Sequence, residues 1–273
     1  MKVFPYDEDR CISMSFLNEL KFSSLSHPNV LNVIEARSKK SSRLKGKVVD
    51  ISYMLLEYSP YGDITKSLLG GTIPNDEILM RTLFKQLLNG VEYLHSKDFA
   101  HMDLKIDNLL LSEDFNIKIA DFEFCINHNE KFLNGKGTPN FRAPEVREKN
   151  CKDNFAADVF SVGVILFTFL ARCLPFCEDT EIKGHNLFNL LQENPEEFWE
   201  IFEQFSDLDY NFPVTFKDLF QKMTLKDPKK RITIPEIKKS KWYRGPVYNQ
   251  KELTRIMSSL NLKKLYEEKV ETK

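Results

Sequence analysis

The sequence predicts an α+β protein of two lobes: a small β-rich lobe first, then a larger, mainly helical one. Three observations predict it. β-favouring residues concentrate in the first sixty positions, at 2–4, 30–34 and 48–56. Beyond them, apolar residues recur three or four positions apart through most of the chain. Between the two regimes lies 57–62, where Pro60 and Gly62 supply turn chemistry and a plausible hinge. The expected division is 1–58 for the small lobe, 59–245 for the helical lobe and 246–273 for a tail helix.

Each element follows from local pattern. Lys2-Val3-Phe4 starts a strand, and 7–25 has helical periodicity. The β-rich runs 30–34 and 48–56 are separated by a basic stretch, 37–47, with six Lys or Arg in eleven residues. It reads as a solvated surface turn. Asn75 is expected to cap a helix whose first turn holds Asp76 and Glu77, suited to its positive end. Its buried stripe is Leu79, Leu83, Leu87, Val91 and Leu94. Further helices are expected at 159–171, 186–193, 216–223 and 235–239, and Leu253, Ile256, Met257 and Leu260 give the tail its helical spacing. A packed tail helix is the plain expectation and a regulatory one the alternative.

Bulk properties narrow the function. A net charge of -1 across 273 residues argues against wholesale attraction to nucleic acid or membrane. The most apolar run, 159–171, falls short of the roughly twenty residues that cross a bilayer. It reads as a buried helix. The five cysteines have no zinc spacing and an odd count, as expected of free thiols in a reducing compartment, the cytoplasm or the nucleus.

The chemistry is concentrated in two short stretches. His101-Met102-Asp103-Leu104-Lys105-Ile106-Asp107-Asn108 is followed by Ile119-Ala120-Asp121-Phe122-Glu123. Each places carboxylate or amide groups on a tight turn beside a short apolar strand, Leu109-Leu110-Leu111 or Ile117-Lys118-Ile119. Such a pair can hold a divalent metal on a polyphosphate through Asn108 and Asp121, while Asp103 faces an attacking hydroxyl.

These residues resemble the eukaryotic protein kinase family, from Lys2 to about Tyr243. The first stretch is similar to the catalytic loop and Asp121-Phe122-Glu123 to the magnesium-binding triplet. Gly137-Thr138-Pro139-Asn140-Phe141-Arg142-Ala143-Pro144-Glu145 resembles the segment that closes the activation loop. Asp158 matches the anchoring aspartate of the central helix, and Arg231 the late arginine that pairs with Glu145. The resemblance implies a two-lobed kinase-like fold with a truncated small lobe, the cofactors ATP and Mg2+, and protein substrates phosphorylated on Ser or Thr. Lys105 favours the serine/threonine type. Lys2 would grip the α- and β-phosphates with Glu19 as its helix partner. Leu56 would guard the pocket, Glu57, Tyr58 and Ser59 would form the adenine hinge, and Leu110 would lie beneath the ring. Asp103 would orient the hydroxyl, Lys105 would shield the moving phosphoryl, and Thr138 would support Asp103. Asp63, counted with the nucleotide set, and Asp107 sit where related kinases meet basic residues upstream of the phosphosite. Phe198-Trp199 and 240–243 resemble the calcium/calmodulin-dependent branch.

Three departures matter. Met102 replaces the arginine that ties down a phosphorylated activation loop, and 122–137 contains no Ser, Thr or Tyr, so switching by phosphorylation there is not expected. Glu123 replaces a glycine, and is expected to stiffen the loop because glutamate avoids positive φ. It also brings a further carboxylate near the metal. No GxGxxG occurs, and nothing in the sequence precedes Lys2 but Met1. The expectation is an incomplete version of a longer kinase. The alternatives are a pseudokinase that binds or scaffolds and, more remotely, a small-molecule kinase.

Overall fold

The small lobe holds strand β1 (Lys2–Pro5), helix α1 (Met14–Leu20) and strands β2 (Val33–Leu44) and β3 (Lys47–Leu56). The structure is a computed structural model that describes residues 1–5, 12–44, 47–131, 139–177, 181–182, 185–205 and 211–263. The three strands form one antiparallel sheet in the order β1-β3-β2. Alternation along β3 turns Met54 inward, where it meets Phe4 of β1 and Phe16 of α1 as a small separate core. Phe4 and Phe16 meet edge to face, ring centroids 5.4 Å apart.

Two expectations are corrected here. α1 begins at Met14 and ends at Leu20, shorter than 7–25, of which 7–11 lie outside the described residues. Phe22 and Leu25 keep the apolar spacing, but three-residue turn bonds (Phe22 N–H to Glu19 O, Leu25 N–H to Phe22 O) carry the chain there. The basic stretch 37–47 is mostly strand, with β2 and β3 pairing from Val33↔Leu56 out to Leu44↔Lys47. Backbone groups pair in a ladder whatever their side chains carry, so composition alone misread a hairpin as a turn.

The large lobe begins with α2 (Thr65–Leu69) and α3 (Glu77–Ser96). The five predicted stripe residues of α3 are all fully buried. Its cap is Asp76, not Asn75: Asp76 Oδ1 accepts from the N–H groups of Ile78 and Leu79, whereas Asn75 Nδ2 donates to Leu170 O at 3.1 Å. Only the residue directly before the first helical one can reach both amides. Short strands β4 (Phe99–Ala100), β5 (Leu109–Leu111), β6 (Ile117–Ile119) and β7 (Ile126–Asn127) follow, β4 pairing with β7 and β5 with β6. Helices α4 (Pro144–Arg147) and α5 (Asn154–Ala171) lead to a small hairpin, β8 (Glu181–Ile182) and β9 (His185–Asn186).

α5 is the lobe's central post. By length and composition alone it is apolar enough to cross a membrane, and nearly all of it is buried inside the lobe. Helices α6 (Leu187–Glu193), α7 (Pro195–Phe205), α8 (Val214–Met223) and α9 (Ile234–Ile237) surround it. Phe167 of α5 packs on Phe202 at 4.9 Å and Phe220 at 4.8 Å. The final described helix, α10 (Gln250–Ser258), sinks Leu253 and Met257 into the same core. Tyr248 Oη donates to Asp76 Oδ2 at 2.7 Å, fastening the start of the tail to the α3 cap.

Arg231 and Glu145 form two parallel bonds, Nη1–Oε1 at 2.6 Å and Nη2–Oε2 at 3.0 Å, both residues buried. Glu145→Ala leaves the guanidinium buried without its counter-charge and is expected to cost about 3–5 kcal/mol. A urea denaturation midpoint close to that of the wild type would contradict this.

Candidate active site

A buried carboxylate sets the first turn of the site. Asp158 on α5 accepts the backbone N–H of His101 (Oδ2, 2.8 Å) and of Met102 (Oδ1, 2.9 Å). Its Oδ2 also meets His95 Nε2 at 2.9 Å. Met102 is thereby held at φ 64°, a left-handed conformation that a side-chain-bearing residue adopts only when its surroundings compensate. His101 spans the site from within, with Nε2 3.1 Å from Ala120 O and Nδ1 accepting the Asp103 N–H at 3.3 Å.

Asp103 is buried, and its Oδ2 accepts from Lys105 Nζ at 2.8 Å and Asn108 Nδ2 at 3.3 Å. Asn108 Nδ2 also donates to Asp103 O at 2.9 Å. With its amide nitrogen so engaged, Asn108 has its amide oxygen left to offer a cation. β5 and β6 pair in the register Leu109↔Ile119, and Ala120 N–H donates to Asn108 O at 2.9 Å. That register sets Asp121 beside the Asn108 turn.

Lys2 Nζ contacts Glu19 and lies 2.9 Å from Asp121 Oδ1. Carboxylate oxygens of Glu19, Asp121 and Glu123 all lie within 4.8 Å of one another. Burial opposes the charge on Asp121, but the Lys2 hydrogen bond and charge, aided by His101 and Lys105, hold its carboxyl below the ordinary range. Glu19 moves the other way. Burial first, and then the neighbouring Asp121 and Glu123 charges, raise it despite Lys2. Burial works against the Lys2 ammonium, and its bonds and attraction to Glu19 and Asp121 raise it nonetheless. One cation thus serves a crowded acidic cluster. Asp121 in this cluster, and the free amide oxygen of Asn108 on the adjoining turn, are hard oxygen donors of the kind that suit Mg2+.

On the other wall, Leu56 is half-buried against the Phe4–Phe16–Met54 core, and Leu110 is half-buried on β5. Glu57 N–H donates to Asn32 O at 2.9 Å, so its carbonyl is the backbone group it can offer a ligand. Ser59 is buried and its carbonyl accepts from Gly62 N–H. Asp63 bridges to Leu110, its Oδ1 accepting from Thr65 N–H at 3.2 Å, while Asp107 is exposed. Thr138 lies outside the described residues.

The expected strain at Glu123 is absent: the positive φ falls on Asp121, at 66°, and Glu123 carries none. Three partners escaped sequence reasoning. Lys118, almost fully buried, reaches Glu57 Oε1 at 2.7 Å and anchors the hinge. A lysine inside a three-residue apolar strand was a usable signal, because a buried lysine needs a counter-charge. Ser15 and Asn18 of α1 bond to Glu123, and nothing in the sequence marks them.

A two-lobed fold with this loop pair at its cleft defines a protein kinase. The family model for the protein kinase domain matches residues 1–243, and the chain belongs to that family. It is similar to CBL-interacting protein kinase 11 of Oryza sativa subsp. japonica, 34% identical over 88% of this chain and 45% of the relative. CBL-interacting serine/threonine-protein kinase 5 of Arabidopsis thaliana is 32% identical over 80% of this chain and 45% of that protein. Fatty acyl-CoA synthetase and RNA processing-associated kinase 1 of Saccharomyces cerevisiae is 36% identical over 83% of this chain and 24% of its own. These relatives agree with the calcium/calmodulin-dependent-kinase-like resemblance. The chain spans less than half the length of each of the three.

Opposite pH responses are expected from the two carboxylates that share Lys2, in metal-free buffer. The wild-type advantage over Asp121→Asn is present above the ordinary value of 3.8 and fades as pH falls through the lower folded value. For Glu19, whose folded pKa is raised, ionisation costs stability, so Glu19→Gln gains on the wild type as pH rises above 4.5. Urea titrations from pH 3 to 7 that gave both variants the same slope would contradict the assignment.

Proposed function

We propose that this chain is the catalytic domain of a serine/threonine protein kinase that transfers the γ-phosphoryl of Mg-ATP to a protein hydroxyl. The observation that supports the proposal is the chain of contacts from Asp103 to Asn108, through the β5–β6 register to the Asp121 turn, and from Asp121 to Lys2.

When bound, Mg-ATP supplies the activated phosphoryl group and the positive charge that offsets its oxygens. Everything else falls to positioning and electrostatics. Asn108 and Asp121 hold the metal. Lys2, kept in place by Glu19, neutralises phosphate. Asp103 Oδ2 is committed to Lys105 and Asn108, which leaves Oδ1 to orient the substrate hydroxyl and take up its proton. Lys105, 2.8 Å from Asp103, stands where charge builds on the moving group. Leu56 and Leu110 flank the adenine, and the backbone of 57–59 receives its edge. Asp63 and exposed Asp107 favour protein substrates with basic residues upstream of the phosphosite.

A reducing compartment, the cytoplasm or nucleus, suits this function. Cys125, Cys151, Cys173 and Cys177 are free thiols, and burial first, with Glu145 nearby, pushes Cys151 up to about 12.

Radiolabelled phosphate transfer to a basic peptide, assayed on the natural protein that contains this chain, tests the proposal. Asp103→Ala is expected to lower turnover by about 10²–10⁴-fold while the fold is retained. Folded protein with neither transfer nor Mg-ATP stabilisation would instead favour a scaffold. A peptide-library screen is expected to enrich Arg or Lys upstream of the phosphosite, and enrichment lost in Asp107→Asn would locate the cause.

A further inference from the structure

Helix α1 presents three side chains, at positions i, i+3 and i+4, on one face. Glu19 meets Lys2. Ser15 and Asn18 meet the turn after Asp121 instead. Ser15 Oγ donates to Glu123 Oε1 at 2.8 Å, and Asn18 Nδ2 donates to Glu123 O and, at 3.3 Å, to Cys125 O. That turn is closed by Cys125 N–H on Phe122 O, and Phe122 is buried against Phe22 and His101. The target is therefore rigid.

α1 itself has little else to hold it. It is seven residues long, and Phe16 and Glu19 are its buried residues. Met14, Leu17 and Leu20 face outward, exposed. Glu123 also crowds the Glu19 and Asp121 carboxylates, a repulsion that by itself drives α1 away from the cleft. The Ser15 hydroxyl meets one Glu123 oxygen, and the two Asn18 donors match two backbone carbonyls. Meanwhile 122–137 offers no hydroxyl to phosphorylate, and Met102 no charge to receive a phosphate.

We propose that Ser15, Asn18 and Glu123 are positioning residues that clamp α1 to the Asp121 turn, so that Glu19 and Lys2 stay paired without activation-loop phosphorylation. The inference rests on the kinase function proposed above and names how that same site is kept competent. Glu123 contributes to the clamp through both its carboxylate and its carbonyl.

Hydrogen–deuterium exchange of the full chain, together with steady-state kinetics in ATP, tests the clamp. Asn18→Ala is expected to speed exchange in 14–25 about tenfold, the worth of its two hydrogen bonds, with peptides of α5 unchanged. The KM for ATP is expected to rise more than kcat falls. Ser15→Ala shares the effect in weaker form, and Ser15→Thr, which keeps the hydroxyl, restores wild-type exchange and KM. Unchanged exchange in 14–25 in Asn18→Ala, or no difference between Ser15→Ala and Ser15→Thr, overturns the clamp. Should Asn18→Ala fail to fold, the Ser15 pair decides. If the wild type transfers no phosphate yet Asn18→Ala still loosens α1, the kinase function fails and the clamp's contacts stand. If both transfer equally well, the clamp fails alone.

Discussion

A single buried carboxylate carries the arrangement of this site. Asp158 belongs to the most deeply buried helix of the large lobe, and it holds two successive backbone N–H groups and a histidine. Those bonds compensate the left-handed backbone at Met102 and so determine where the chain points next. Asp103, Lys105 and Asn108 inherit their places from that turn, and the β5–β6 register passes the geometry on to Asp121. An interior charge is tolerated because hydrogen bonds take up its capacity. The helix that supplies it packs on all sides and cannot drift.

The small lobe obeys a different constraint. Among the described residues, Phe4, Phe16 and Met54 form a small core of its own, and its link to the large lobe mixes apolar contacts, Phe22 on Phe99 and Phe122, with polar ones. Lys2 reaches across to Asp121, Lys118 reaches back to Glu57, and Leu31 N–H donates to Ile119 O. Among the described residues, the carboxylates of Glu19, Asp121 and Glu123 crowd around the Lys2 ammonium, with Lys105 drawn to Asp103. A divalent cation there would relieve the remaining repulsion.

Much of this was legible in the sequence because it is local or periodic. The α3 stripe and the buried post of α5 follow from apolar spacing, and both signature loops from carboxylates and amides on turns beside apolar strands. What escaped was set by partners distant in sequence. The α3 cap moved by one residue because reach to two amides, not residue preference, decides it. The basic hairpin was hidden because ladder pairing ignores side-chain charge. The Glu123 conformation was misjudged because the positive φ moved two residues, to Asp121. Ser15 and Asn18 carry no local signal, since their partners lie more than a hundred residues away.

Electron paramagnetic resonance of Mn2+ bound with a non-hydrolysable ATP analogue addresses the metal site most directly. Nucleotide-dependent binding of Mn2+ is expected in the wild type and in Asp107→Asn, with loss in both Asn108→Ala and Asp121→Asn. Equal Mn2+ binding in all four proteins would place the metal elsewhere and contradict the site built here.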